Sequence, residues 1–243
     1  MKSIVYWLLM VLAPGIALSQ TKINKLYPVN NAKEIEFHFD YPKLIHVTSW
    51  DRNEISIAAT VRINGEENDK VFTLEQSNSG DKITIVNKLA LDQIPETFYV
   101  VDKGIKTRFA TKGDLQVYLN GKDNTMLSTY QQKDIEITIE IKVPANANTL
   151  LVSTYGMVEI ENLKGPIKVD AIYGGVDASL NEKAIGKILL TNRYGKIYTN
   201  LDLQPIEKKE QNFFTSIMAT PGIGANYEFN SSYGNIYLRN SGK

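Results

Sequence analysis

His38 and His46 are the only imidazoles in this 243-residue chain, which has no cysteine. These two facts remove most site chemistry. Without Cys there is no disulfide, thiol nucleophile, Cys-ligated zinc, iron–sulfur cluster or lipidated cysteine. Two histidines do not build a three-His metal site, and each reads as a surface or hydrogen-bonded residue: His38 on the polar side of an alternating strand, His46 within 44–48. No Gly-x-Ser-x-Gly elbow, phosphate loop or His-Glu-x-x-His is present. The expectation is therefore no catalytic residue, cofactor or metal. Two constellations remain. Glu159 and Asp177 are outward acids on neighbouring repeats, the residue types a glycosidase or a metal site uses, although solvated faces are full of such acids. Arg193, Lys196, Tyr198, Tyr237 and Arg239 make a basic, aromatic wall, the candidate surface for a glycan or partner; their plainer role is cross-strand pairing. With 27 basic and 27 acidic side chains, the balance argues against nucleic acid, whose capture needs a basic surface.

The elements that must position these residues read as strand after strand. Residues 33–40 place Ile35, Phe37 and Phe39 on one side and Glu34, Glu36 and His38 on the other. Residues 44–50, 54–63, 71–75 and 82–86 follow, rich in Ile, Val and Thr and parted by polar turns. Residues 134–143 alternate through Ile135, Ile137, Ile139, Ile141 and Val143, then stop at Pro144. No long window carries a helical period, so little or no helix is expected in the mature chain. Residues 89–114 and 203–226 break the pattern and read as insertions, the second as a coil plus a protruding loop.

The N-terminus reads as an address. Lys2 precedes an apolar run from Ile4 to Ala13, Pro14-Gly15 breaks it, and Ala17-Leu18-Ser19 offers the small residues a signal peptidase inspects. The run is about half the ~20 residues a membrane span needs. The expected organisation is a signal peptide over 1–19 and one domain over 20–243, with no membrane span after cleavage. The product is expected to be exported: periplasmic, cell-surface or secreted in a Gram-negative bacterium.

A Tyr-Gly pair recurs in the C-terminal half: Tyr155-Gly156, Tyr173-Gly174, Tyr194-Gly195 and Tyr233-Gly234, in steps of 18, 21 and 39 residues. A period near ~20 residues signals a solenoid, with 39 spanning two coils. The flanks repeat too. Four residues before each Tyr stands Leu151, Val169, Leu190 or Phe229, and two before it Ser153, Ala171, Asn192 or Ser231. Two after each Gly stands Val158, Val176, Ile197 or Ile236. Each pair is a corner where the strand alternation shifts phase and glycine permits a tight bend. Coils ~4.8 Å apart would stack the tyrosines into a ladder. The expected fold is all-β, a single-stranded right-handed β-solenoid of β-helix type, with 233–240 as its last coil.

Residues 135–240 resemble a bacterial "putative adhesin" family of β-solenoids related to the head GIN domain proteins of Bacteroidota. The matching residues are Ile139-Glu140-Ile141-Lys142-Val143-Pro144, the run from Leu151 through Tyr155-Gly156 to Ile160, Tyr173-Gly174-Gly175-Val176 and Tyr194-Gly195-Lys196-Ile197. Upstream, the stretch Val47 to Ile55 resembles that family's early strand, with Trp50-Asp51 preceding it. The resemblance implies a non-catalytic, adhesin-like protein presenting a surface to an envelope or extracellular partner or a glycan, with no catalytic residue to carry over. Two other classes are weighed: a carbohydrate-active β-helix enzyme of polysaccharide lyase or hydrolase type, and a periplasmic structural or signalling partner acting through the solenoid end.

Overall fold

The structure, a computed structural model, describes residues 22–30, 32–122 and 127–242. The signal-peptide reading over 1–19 lies outside the described residues. The first strands are β1 (Lys22–Pro28), β2 (Glu34–Phe39), β3 (Leu44–Trp50), β4 (Glu54–Ile63), the short β5 (Glu66–Glu67), β6 (Phe72–Ser79) and β7 (Lys82–Leu89), of which β2, β3, β4 and β7 alternate between core and surface. Ile35, Phe37 and Phe39 of β2 are buried while Glu34, Glu36 and His38 are not. Glu36 pairs across strands with Lys82 at 2.6 Å, and this hydrogen bond holds its carboxyl below the usual range. The native state thus sheds a proton that the unfolded chain keeps, so this stabilisation is present at neutral pH and is lost as pH falls through the carboxylate range. Glu36→Gln is expected to flatten the acid limb of stability, measured as urea midpoints from neutral pH to pH 3.

The insertion is a module of its own. A single 3-10 turn (Leu91–Gln93) leads to β8 (Thr97–Asp102), β9 (Ile105–Phe109), helix α1 (Lys112–Asn120) and β10 (Leu127–Gln132). The strands pair antiparallel in the order β10-β8-β9. Helix α1 is the one α-helix among the described residues, in keeping with the expectation of little or no helix. Thr111 caps it, its side chain accepting from the Asp114 amide, but it is nine residues long and buries Leu115 alone, too little for a helical period to stand out.

The remaining strands are β11 (Ile135–Pro144), β12 (Asn148–Ser153), β13 (Met157–Glu161), β14 (Ile167–Ala171), β15 (Val176–Leu180), β16 (Ile185–Arg193), β17 (Ile197–Thr199), β18 (Glu207–Gln211), β19 (Phe214–Ala219), β20 (Ala225–Ser231) and β21 (Ile236–Asn240). The protein is mostly β, and its strands divide among three sheets rather than one expected stack. One nine-stranded sheet runs β1-β4-β11-β3-β13-β15-β21-β17, with β5 beside β4; the other runs β6-β7-β2-β12-β14-β20-β16-β19-β18. Their inward residues share one core, from Ile35 and Phe37 through Leu151, Val158, Val169 and Val176 to Leu190, Phe229 and Ile236.

Within each large sheet the central strands are parallel, so β2→β3, β12→β13, β14→β15, β20→β21 and β16→β17 form tiers crossing from the second sheet to the first. The repeat positions fall in register: Leu151 opposite Val169, Val169 opposite Phe229, and Phe229 opposite Leu190. The spatial order corrects the expected one. Residues 233–240 do not form the last tier: β20→β21 inserts between β14→β15 and β16→β17. Residues 203–226 correct likewise, for they hold the antiparallel hairpin β18–β19, which covers β16. That hairpin turns the chain back, so the next tier enters on the near side of β16.

Candidate functional site

Every tier turns its corner with an aromatic ring. Tyr41, Tyr155, Tyr173, Tyr233, Tyr194 and Phe213 stack in that spatial order, with centroid separations of 5.3, 5.2, 5.1, 5.1 and 5.6 Å. The four tyrosine contacts are stacked and the Phe213 contact is tilted. All six rings are exposed, from 38% at Tyr41 to 73% at Phe213. The Tyr-Gly repeat marks four of them. Tyr41 precedes Pro42, not Gly, and Phe213 sits in the β18–β19 turn, so a search for Tyr-Gly misses both. The available signal was positional: Phe39-Asp40-Tyr41 matches Ser153-Thr154-Tyr155, with Phe39 opposite Ser153.

The corner glycines stack as closely as the rings. A Cβ on Gly174 would lie 1.5 Å from the Gly156 carbonyl oxygen, one on Gly234 2.2 Å from that of Gly174, and one on Gly195 2.0 Å from that of Gly234. Close approach is therefore the common reason for glycine here. Positive φ applies to Gly156 alone among the four. At the ends of the ladder the aromatic residues carry the left-handed backbone themselves: Tyr41 (φ 62°), Tyr194 (φ 58°) and Phe213 (φ 60°). Each costs on the order of 1–3 kcal/mol, which the surrounding stack must offset.

The polar position two residues before each Tyr ties the corner down. Ser153 Oγ donates to the Tyr155 carbonyl at 2.6 Å, and Ser231 Oγ donates to the Gly174 carbonyl at 3.0 Å. The buried Asn192 donates to the Gly234 carbonyl and accepts from the Gly195 amide, both at 2.8 Å, so it joins two tiers. Ala171 is the exception. Asn192→Ala strips the part-buried Gly234 carbonyl of this partner and leaves the Gly195 amide only the Arg193 carbonyl, and thermal unfolding is expected to show a loss of about 1–3 kcal/mol.

The other candidate residues are partly brought together. Tyr198 and Tyr237 stack at 5.2 Å on the outward face of β17 and β21, and Arg239 shares that face, paired with Asp177. Arg193 belongs to the other large sheet, with its guanidinium 5.7 Å from the Phe214 ring centroid. Lys196 is in the corner before β17, its backbone amide held by the Asn235 side chain. Glu159 and Asp177 are directly paired neighbours. Burial raises the Asp177 carboxyl above its usual value, Arg239 opposes that, and Glu159 and Glu161 add to it. Glu159 lies 3.6 Å from His46, while His38 faces Glu36 on the second sheet. Among the described residues no group of three or more His, Asp or Glu is arranged to hold a metal.

Beside the first corner an open cleft of about 570 Å³ separates the stack from the base of the module, lined by Tyr41, Pro42, Lys43, Leu91, Glu96, Lys133, Ile135 and Tyr155.

The fold and site thus define a mostly-β protein with an exposed aromatic ladder along its stacked corners. No protein-family model matches the chain, and no curated protein matches its sequence. Two solved structures are similar over most of their length. One is titled a "putative cell adhesion protein" from Clostridium sporogenes, at 9% identity and TM-score 0.47, over 90% of this chain and 99% of that one. The other is titled a "putative adhesin" from Bacteroides fragilis, at 12% identity and TM-score 0.22, over 90% and 98%. Among the described residues no helix is long and apolar enough to cross a membrane.

Proposed function

We propose that the chain is an exported, non-catalytic β-solenoid of adhesin type that presents its corner ladder to a glycan or an envelope or extracellular protein. The observation that carries this reading is the row of six exposed rings at near-regular spacing. Large aromatic surface left in water is costly unless it is used, and aromatic residues concentrate where binding energy does. The five tiers of parallel strands support the solenoid reading, and the leader-like N-terminus supports export.

The experiment is capture from a glycan array and from envelope extract by the chain starting at Gln20, compared with Tyr173→Ser/Tyr233→Ser. The double variant is expected to lose roughly tenfold or more in capture, about 1.4 kcal/mol, while still unfolding cooperatively. Equal capture by both proteins sinks the reading. The alternative, a carbohydrate-active enzyme, draws on the adjacency of Glu159 and Asp177. Cleavage of a polysaccharide that Glu159→Gln abolishes would move the protein to that class.

A further inference from the structure

A stacked ladder offers different chemistry along its length and at its ends. Inside the row each ring face is covered by the next ring, so Tyr155, Tyr173, Tyr233 and Tyr194 present edges and hydroxyls. Tyr41 has one ring neighbour, Tyr155, and it stands at the end of the row where the cleft opens. A ligand ring entering there would lie against Tyr41.

The rest of the lining selects what that ring carries. Leu91, Pro42 and Ile135 supply apolar wall. The Lys133 ammonium donates to the carbonyls of Leu91 and Ile94, at 2.7 and 2.6 Å. An ammonium has three donors, and neutral carbonyls leave its charge uncompensated. Among the described residues Lys133 has no carboxylate within ion-pair distance, whereas Lys43 is paired with Glu136 at 2.9 Å. The cleft therefore holds a half-buried cation with a donor to spare. Glu96, exposed on the same lining, repels a bare anion but accepts hydrogen bonds from hydroxyls. The cleft volume of about 570 Å³ lies inside the roughly 300–1,000 Å³ range of ligand sites.

We infer that this cleft binds an acidic sugar ring, a pyranose bearing a carboxylate, stacked on Tyr41 with its carboxylate on Lys133 and its hydroxyls toward Glu96. The inference deepens the glycan reading above and rests on it: the ladder is the approach, and the cleft sets the ligand class.

Calorimetric titration with trigalacturonate, its neutral counterpart galactotriose and a dipeptide ending in phenylalanine tests the assignment. Trigalacturonate is expected to bind, and Tyr41→Asn and Lys133→Met to weaken it by roughly tenfold each. Asn accepts the left-handed backbone at position 41, and Lys133→Arg should keep most of the affinity. If Lys133→Met does not fold, Tyr41→Asn decides. Equal binding of the neutral sugar, preference for the dipeptide, no binding of trigalacturonate, or no loss in Tyr41→Asn overturns the cleft. Array capture that still depends on Tyr173 and Tyr233 in that event leaves the ladder reading standing; capture that depends on neither position removes both.

Discussion

Ending the chain after Gly222 is expected to collapse the whole stack rather than trim its end. Residues 225–240 are last among the described strands but fourth of five in space, so their removal opens a one-tier gap between β14→β15 and β16→β17. Four buried apolar side chains go with them, Tyr227, Phe229, Ile236 and Leu238. At about 1.5–3 kcal/mol each, this is roughly 6–12 kcal/mol, as large as the whole stability of an ordinary domain, about 5–15 kcal/mol. The backbone loss adds to it, since the facing edges of β14 and β16, and of β15 and β17, lose their hydrogen-bond partners. Circular dichroism and thermal melting of the truncated chain should show no cooperative transition. A melt within a few degrees of the full chain would contradict the order of the tiers.

Gly174→Ala is the second large effect. The added methyl would stand 1.5 Å from the Gly156 carbonyl oxygen and 2.4 Å from its carbon, both of them backbone. Backbone cannot rotate aside as a side chain can, and tiers held at strand spacing cannot separate without breaking the ladders on both sheets. A loss of about 4 kcal/mol or more is expected, or failure to fold. Gly65→Ala is the control. Gly65 has φ 87° but open space where a Cβ would go, so that change carries the conformational cost alone, on the order of 1 kcal/mol. If the two substitutions shift the melting point equally, close packing of the corners is not what holds glycine at 174.

Much of the tier interior was legible. Leu151, Val169, Leu190 and Phe229 announce one buried column and Val158, Val176 and Ile236, with the part-buried Ile197 at the edge, another, because a corner of fixed length forces the same inward positions in every repeat. The order of tiers was not legible, for a physical reason. Parallel pairing is made by backbone groups that every residue carries, and β16→β17 and β20→β21 bear equivalent inward patterns, so either fits beside β14→β15. What decides is the β18–β19 hairpin, whose strands Glu207–Gln211 and Phe214–Ala219 carry no inward alternation to declare them. The candidate wall was half legible. Tyr198, Tyr237 and Arg239 share a face because they lie on neighbouring parallel strands, whereas Arg193 ends the strand before the crossing between sheets and Lys196 lies in the crossing itself. Tyr41 escaped because Pro42 follows it, so the Tyr-Gly pair that marks the other four tyrosine corners is absent there.

The two ends of the stack bear on how many molecules can join. A run of parallel strands is a template for its own extension, the property that lets filaments grow. Here the second sheet ends in reversed strands on both sides, β6 at one and the β18–β19 hairpin at the other. The outermost strand, Glu207–Gln211, is wholly exposed and charged, with Lys209 on Glu207 and Lys208 on Glu210. The first sheet reverses at β4 and β1, and at its far side offers only β17, three residues long. Among the described residues an arriving copy therefore meets edges that are reversed, charged or short rather than a long parallel strand that repeats the tiers. Such edges oppose tier-on-tier stacking of copies, and the six rings of the row all come from one molecule.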